Sequence, residues 1–355
     1  MSVETKVHVA PGGRAAASRV RPARIPKRWL AAALLLLAAA LIAGMAIGAV
    51  GIPLGDVYHG LISRGTFGGR NAVIVWQLRL PRVLLAAVVG GMLALAGAAY
   101  QGVFGNPLAD PYLLGAAAGA ELGATIAIAF VPVALGVNTI PILAFVGAAG
   151  AVAAAFVLGR SAGAGRSSTM LILAGVAIAA FLTAIQTYIQ QSRSGMLRQV
   201  YSWILGRLAT AGWTGLRLVI PYVLVSVVVI LLHVRHLDVL SLGDEEARSL
   251  GVNVDRARLL LVAAATVGTA SVVAVAGAIA FVGIIVPHTV RLVAGTSYRV
   301  VAPLSVILGA AFLVFADMLA RTLIAPAELP IGVITAFCGA PFFLVVLRRS
   351  KVVQS

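Results

Sequence analysis

Cysteine and charged residues are both scarce in this chain of 355 residues. Cys338 is the only cysteine, which excludes disulfide bonds within one chain and metal sites built from several cysteines. Asp, Glu, Lys and Arg together make up 11% of the chain, whereas hydrophobic residues make up 61%. A soluble domain is about 25% charged, so this composition contradicts a soluble fold and indicates a membrane protein.

Lysine is rarer still, and its positions exclude a nucleotide-binding loop. Lys6, Lys27 and Lys351 are the only lysines, and none follows a glycine-rich turn. The chain also lacks a Ser–His–Asp arrangement, an HExxH motif and paired carboxylates at a useful spacing. We therefore expect no catalytic residue and no metal site, and any ATP that drives this protein must be bound by another subunit.

What the chain has in abundance is long apolar runs. About 20 apolar residues cross a hydrocarbon core about 30 Å thick as an α-helix, and runs of that size recur along most of the chain. They predict an all-α membrane protein with about ten transmembrane helices. The predicted spans are 29–51, 83–102, 109–131, 140–159, 168–191, 214–234, 257–277, 279–294, 300–320 and 328–347. We expect a disordered basic cytoplasmic tail over 1–28, a transmembrane domain over 29–348 and a cytoplasmic tail over 349–355.

The positive charge lies between the apolar runs rather than on one folded face. The formal net charge of +16 is therefore attributed to orientation in lipid, and we expect no nucleic acid partner. With both termini cytoplasmic, most basic residues fall on the cytoplasmic side, as the positive-inside rule requires. Arginines on the outer side either snorkel to head groups or form a basic surface for an acidic partner or anionic substrate. They are Arg64, Arg70, Arg79, Arg82, Arg193, Arg198, Arg207, Arg217 and Arg321.

A few ionisable residues fall within or near the predicted spans. Asp317 precedes Arg321 by four residues, which favours a helical ion pair. Glu121 lies opposite a stripe of glycines at every fourth position, Gly115, Gly119 and Gly123, which predicts close helix packing. Glu121 either lines a water-filled path or pairs with an arginine, and in a stand-alone carrier it would be the proton site.

The longest predicted cytoplasmic loop, about 238–256, has two helix-like pieces joined at a glycine. Three acids follow Gly243 where the positive end of a helix dipole would lie, and Gly251 ends the helical pattern. One alternative is a solvated connector. The other is a short structured helix that docks a partner, with Leu242, Gly243, Asp244, Glu245, Glu246, Ala247, Arg248, Ser249, Leu250 and Gly251 as its residues.

Seven segments of the chain resemble one family, the FecCD-type permeases of type II ABC importers. The resemblance covers about residues 30–348. The matching segments are WQLRLPRVL (76–84), QGVFGNPLADPYLLG (101–115), LILAGVAI (171–178), WILGRL (203–208), LGDEEARSLGV (242–252), FVGIIVPHTVR (281–291) and ELPIGVITAFCGAPFFLVVL (328–347).

The resemblance implies an assembly as well as a fold. It implies a homodimer in the bacterial inner membrane, with the translocation path on the two-fold axis. Two ABC ATPase subunits would hold the ATP and Mg, with no cofactor on this chain, and a periplasmic or lipid-anchored protein would deliver the substrate. The expected cargo is a ferric chelate, either siderophore or haem; the alternatives are cobalamin or, in another class, a stand-alone proton-coupled carrier.

The resemblance also implies roles for individual residues. Arg79, Arg82 and Arg321 match arginines that receive acidic residues of the binding protein, and 242–252 matches the coupling helices that sit in the ATPase. Residues implied in the cytoplasmic gates are Asn106, Leu108, Ser168 and Thr169, and those implied near the substrate path are Gln186 and Gln190, with Glu121 as a further candidate. Departures from the family pattern are Gly105, Ala278, Ala280 and Glu121.

Overall fold

The computed structural model describes residues 25–64, 69–132, 139–161, 168–206, 208–209 and 211–352. Within these ranges the chain is helical and contains no β-strand, which confirms the predicted all-α class. Most of the predicted disordered tail, residues 1–24, lies outside the described residues, as does Arg207.

The helices follow one another with short connections. They are α1 (Lys27–Ala46), α2 (Leu54–Ile62), α3 (Gly69–Val73), α4 (Leu80–Phe104), α5 (Ala116–Phe130), α6 (Thr139–Ser161), α7 (Ser168–Ser192), α8 (Leu197–Ile204), α9 (Gly212–Leu232), α10 (Val234–Leu240), α11 (Asp244–Ser249), α12 (Val254–Ala276), α13 (Val282–Ala294), α14 (Tyr298–Ala320) and α15 (Ile331–Val352). A π-helical segment (Ile74–Arg79) and two 3₁₀ segments (Pro111–Leu114 and Ser194–Met196) complete the described elements.

Each of the ten predicted spans corresponds to an observed helix. By length and composition, 7 described helices can cross a membrane, and three shorter apolar helices are Ala116–Phe130, Val282–Ala294 and Ile331–Val345. The last helix continues to Val352, into the predicted tail. The fold is therefore an all-α membrane bundle of about ten spans.

The segment before α4 was not predicted as a helix, yet it runs unbroken from Gly69 into α4 through the π-helical turn. Pro81 explains that turn. A proline lacks the N–H that an α-helix needs, and its ring crowds the carbonyl four residues earlier. The wider π turn, in which Leu80 N–H bonds to the Val75 carbonyl, accommodates it. As a result Arg79, the last residue of this turn, points into the protein.

The predicted span 109–131 is broken rather than continuous. Gly115 has a φ of 82°, a left-handed conformation that glycine adopts without strain, and it separates the Pro111–Leu114 turn from α5. The other two glycines of the stripe, Gly119 and Gly123, pack closely against α6, as predicted. A Cβ on Gly119 would lie 2.2 Å from the Gly147 carbonyl oxygen, and one on Gly123 would lie 2.0 Å from that of Leu143. Small residues therefore let α5 and α6 touch backbone to backbone.

Helix α4 lies at the centre of the bundle, against α12, α13 and α14. Its contacts use glycine on both sides, because Gly90 meets Gly309 and Gly97 meets Gly283. Nearly all of α4 is buried, whereas few of the described side chains of α7 are buried in the single chain. The exposed apolar face of α7 must meet lipid or another protein, since water would penalise it.

The two ends of the bundle carry different residues. We call the end with Arg79, Arg82 and Arg321 the arginine end, and the end with residues 234–253 the coupling-loop end. Helix α1 runs from the coupling-loop end to the arginine end, because its last carbonyls contact Arg79 and Arg321. Helix α15 runs the opposite way from Ile331, beside Arg82. The first and last described helices therefore begin and end at the coupling-loop end.

Candidate functional site

The coupling-loop end carries two short helices, α10 and α11, rather than a solvated connector. We call this pair of helices the elbow. Helix α10 follows α9 with only His233 between them, and α11 follows after a three-residue turn. Asp238 of α10 reaches the start of α14, where its carboxylate accepts hydrogen bonds from the backbone N–H of Tyr298 (2.6 Å) and the hydroxyl of Ser297 (3.0 Å). A carboxylate at a helix N-terminus satisfies free N–H groups and favours the positive dipole end, so it anchors α10 to α14.

Helix α11 has its own anchor and a defined end. Asp244 forms a 2.8 Å ion pair with Arg258 of α12, whose side chain is nearly buried. At the C-terminus, Gly251 N–H bonds to the Arg248 carbonyl and Val252 N–H bonds to that of Ala247, with Gly251 at a φ of 80°. This is a Schellman motif, which satisfies the last carbonyls of a helix. The predicted two-piece loop with a helix ending at Gly251 is confirmed.

The outward face of α11 is exposed and partly apolar. Leu242 and Leu250, which flank the helix, are 61% and 62% exposed, while Ala247 between them is buried. Glu245, Glu246, Arg248 and Ser249 are also exposed. The two exposed leucines on either side of this anchored helix form a small apolar surface.

At the opposite end, Arg79 caps the first helix. Its guanidinium donates to the carbonyl oxygens of Met45 (2.5 Å) and Ala46 (2.8 Å) and also to that of Val50. Arg321 donates from the other side to the carbonyl of Gly44 (2.5 Å). The last carbonyls of a helix lack intrahelical partners and lie at its negative dipole end, so two cations there stabilise it.

Arg82 binds carboxylates, whereas Arg79 and Arg321 bind backbone carbonyls. It forms a bidentate pair with Asp317, with its Nη2 2.8 Å from Oδ1 and its Nε 3.1 Å from Oδ2, and its Nη1 lies 2.8 Å from Glu328 Oε1. Asp317 also lies 3.6 Å from Arg321, which confirms the predicted helical pair but makes it the longer contact. These groups line one wall of a cavity of about 630 Å³ that also borders α8 and the start of α15.

Burial separates the three predicted docking arginines. Arg79 and Arg321 are 7% and 5% exposed and are bonded to the backbone of their own chain. The side chain of Arg82 is 13% exposed, somewhat more than the other two, and its partner Glu328 is 43% exposed. The Arg82–Glu328 pair is therefore the most exposed part of this cluster.

Two of the predicted gate residues, Asn106 and Leu108, lie in the turn that follows α4. Asn106 Oδ1 accepts a hydrogen bond from Leu108 N–H at 2.9 Å, and Asn106 N–H bonds to the Gln101 carbonyl at 3.1 Å. Gly105 has a φ of 59° and open space around its Cα, so it ends α4. Ser168 and Thr169 begin α7, and their side chains lie outside the described residues.

The predicted pathway residues do not share one surface. Gln186 is 4% exposed and faces the interior of its own subunit, while Gln190, one turn later on α7, is half-buried. Glu121 is half-buried on α5, and its backbone carbonyl accepts a bond from Thr125. Of the two glutamines, Gln190 is the less buried.

Sequence reasoning missed several polar residues that the structure brings into contact. Asp238 and Glu328 were not singled out, although each joins separate helices. Arg193 caps another helix, since it donates to the Ala129 carbonyl at the end of α5. Gln101, 1% exposed, bonds to Arg291. A lone polar residue inside an apolar run is the signal that could have found Gln101.

Comparison with known proteins agrees with the resemblance. The FecCD transport family matches residues 35–349. The hemin transport permease HmuU of Yersinia pestis is 43% identical over 286 residues, covering 78% of this chain and 84% of the relative. The cobalamin import permease BtuC of Halobacterium salinarum is 43% identical over 280 residues, covering 79% of this chain and 74% of the relative.

A solved structure shares the architecture. It is described as a metal-chelate type ABC transporter in an inward-facing conformation, and it is 28% identical with a TM-score of 0.79. The match covers 91% of this chain and 100% of that one. Taken together with the ten-span bundle and the family match, this shows that the chain belongs to the FecCD transport family and is a membrane-spanning permease of ABC transporters rather than an enzyme.

Proposed function

We propose that this chain forms half of a homodimeric importer that moves a ferric chelate across the bacterial inner membrane. Two ABC ATPase subunits would dock at the coupling-loop end, which would face the cytoplasm together with both chain termini. A periplasmic or lipid-anchored binding protein would dock at the arginine end. ATP and Mg would bind only to the ATPases, and this chain would provide the path.

The observation that carries the proposal is the elbow of α10 and α11. Asp238 and Asp244 tie it to α14 and α12, so a force applied to the elbow reaches two long helices. Leu242 and Leu250 remain exposed on its outer face, where a partner can bury them. A mere connector needs neither the two carboxylate anchors nor the apolar face.

At the arginine end we propose that the three arginines divide the work. Arg82 would receive an acid of the binding protein in exchange for Glu328, which is partly exposed. Arg79 and Arg321 would support that site from below by holding the end of α1. Docking therefore needs all three, but only Arg82 would touch the partner directly.

For the path, we propose that the turn at Asn106 and Leu108 closes the cytoplasmic end together with Ser168 and Thr169. The two-fold axis would bring the exposed face of α7 against a second copy, with Gln190 near the substrate. We keep Gln186 as a buried support and Glu121 as a polar residue beside the path. The family match removes the basis for a stand-alone proton carrier using Glu121.

A ferric chelate is the proposed cargo because HmuU, 43% identical to this chain, is named for hemin. Cobalamin is the alternative, since the equally similar BtuC of Halobacterium salinarum is named for it. Competition for uptake separates them. Cells that depend on this importer should accumulate radiolabelled iron from haemin or a ferric siderophore, and excess cobalamin should not reduce it; the reverse pattern would assign cobalamin.

Loss of the two exposed leucines tests the ATPase site. Leu242→Ser with Leu250→Ser should abolish co-purification of the ATPase while leaving the folded permease intact, because both side chains lie outside the core. The matched control is Leu323→Ser, an exposed leucine (59%) just after α14, at the arginine end. Equal ATPase recovery from both variants, or uptake by the purified chain on a proton gradient alone, would refute the proposal.

A further inference from the structure

A continuous chain of hydrogen bonds joins the elbow, formed by α10 and α11, to the turn after α4 that contains Asn106 and Leu108. We call this turn the gate turn. It begins at Asp238 of α10, which accepts from the backbone N–H of Tyr298 at 2.6 Å. The Tyr298 hydroxyl accepts from Arg291 of α13 at 3.1 Å, and Arg291 donates to Gln101 Oε1 of α4 at 2.6 Å. The Gln101 carbonyl then accepts from the backbone N–H of Asn106 at 3.1 Å. Four separate elements are thus linked through side chains.

The chain of bonds is enclosed by tight packing. A Cβ on Gly102 would lie 3.0 Å from the Tyr298 ring and 2.9 Å from a Leu237 methyl carbon, so α4 meets both α14 and α10 there. Tyr298 is 6% exposed, and Gln101 Nε2 donates to the Gly283 carbonyl at 2.9 Å. Closely packed interiors shift between discrete arrangements rather than deforming smoothly, so movement at one end is passed on.

Arg291 holds the centre of this network without a carboxylate. Among the described residues its partners are the Gln101 amide, the Tyr298 hydroxyl and the Tyr298 ring, whose centroid lies 5.4 Å from the guanidinium carbon. A cation supported only by neutral groups gives directional bonds without the pull of an opposite charge. Breaking one of them leaves the other partners in place, which suits a link that moves.

We propose that Tyr298 and Arg291 are positioning residues that carry movement of the elbow to the gate turn at Asn106 and Leu108. The inference rests on the proposed function, because it requires an ATPase that moves the elbow. It goes beyond that function by naming the route. Asp238 is the input of this route and Gln101 its output, and neither needs to contact the substrate.

Spin labels on exposed positions at the two ends of the route test the inference. One label replaces Glu245 on α11 and another replaces Pro107 in the gate turn, each in a chain with Cys338→Ser, and distances are measured between the two copies of the dimer. The assembled complex with its ATPase is compared without nucleotide and with ATP and vanadate. With the relay intact, both distances should change.

The decisive variant is Tyr298→Phe, which keeps the packed ring and removes only the hydroxyl. Position 245 should still respond to ATP, position 107 should lose its response, and transport per ATP hydrolysed should fall about tenfold, the size expected for one lost hydrogen bond to a charged group. Arg291→Met should behave likewise. Asp238→Ala should also uncouple, whereas Asp238→Asn should not, because asparagine can still accept from the Tyr298 N–H.

The matched control is Thr289→Ala, which removes a local bond to the Ile285 carbonyl on an exposed face of α13. It should leave both distance changes and the transport ratio as in the parent. A normal response at position 107 in Tyr298→Phe and Arg291→Met would overturn the relay alone. A parent complex in which position 245 itself ignores ATP would overturn the proposed function, and the relay with it.

Discussion

The two ends of this bundle both carry ion pairs, but they use them in opposite ways. At the arginine end the charges are buried and closed on one another, with Asp317 between Arg82 and Arg321 and with Arg79 bonded to backbone carbonyls. At the coupling-loop end the pairs of Asp238 and Asp244 are partly exposed and leave an apolar face open. Charge therefore holds the first end together, while at the second end it anchors two short helices and leaves their apolar residues exposed.

Removal of the most buried charge should have the largest effect. Asp317→Asn would leave Arg82 and Arg321 without their shared carboxylate in a site that is 1% exposed at the aspartate. Breaking a buried pair costs about 3–5 kcal/mol, so we expect a marked fall in the apparent unfolding temperature in detergent. A fall no greater than that of Glu328→Gln would contradict the claim that this end is held by buried charge.

Loss of the cap on α1 should come next. Arg79→Met keeps the length of the side chain but removes its hydrogen bonds to the carbonyls of Met45 and Ala46, of which Ala46 keeps only the backbone N–H of Ile52, at a cost of about 1.5–3 kcal/mol. The control is Arg217→Met, an exposed arginine on α9. Thermal unfolding should distinguish them. If Arg79→Met is as stable as its control yet no longer responds to a binding protein, the residue docks directly instead.

The anchor of α11 should matter locally rather than globally. Asp244→Asn weakens the pair with Arg258, which we expect to cost about 1–2 kcal/mol in the stability of the short helix. Hydrogen–deuterium exchange should accelerate in 244–252 while the unfolding temperature of the whole chain hardly changes. Glu245→Gln, on the exposed side of the same helix, is the control. Faster exchange throughout the bundle would show that the two ends do not differ in this way.

The smallest stability effect is expected at the exposed pair. Glu328→Gln removes a contact that is 43% exposed at the glutamate, and such pairs contribute about 0–1 kcal/mol. The unfolding temperature should therefore stay the same. Because Arg82 would lose its competing partner, the affinity for the binding protein should rise, as titration of that protein into the reconstituted permease can measure. Weaker docking would place Glu328 in the interface itself.

Sequence patterns predicted the spans well, but not how the chain turns within or just before them. The thickness of the hydrocarbon core sets the length of the apolar run that can cross it, so all ten spans were predicted. Pro81 and Gly115 were visible in the sequence, but whether a proline or glycine breaks, widens or merely ends a helix depends on its neighbours in space. The π turn and the broken third span were therefore missed.

The candidate site divides in the same manner. The short helix α11 was predicted correctly because its signals are local, with acids at its start and a glycine at its end. The burial of Arg79 and Arg321 could not be predicted from the sequence. An arginine near a predicted span has the same sequence pattern whether its side chain caps a distant helix or faces water. Gln101 and Asp238 were missed because their partners lie far away along the chain.

The sequence by itself determined that this chain is a membrane protein, about how many times it crosses the membrane and where the short helix α11 lies. Hydrophobic length and helix termini are properties of consecutive residues. Only the tertiary structure decided which arginines are buried, which carboxylates join which helices and how the elbow is connected to the gate turn. Those are pairings between residues far apart in the chain, and they are selected by geometry, since a desolvated charge is stable only where its partner is already in place.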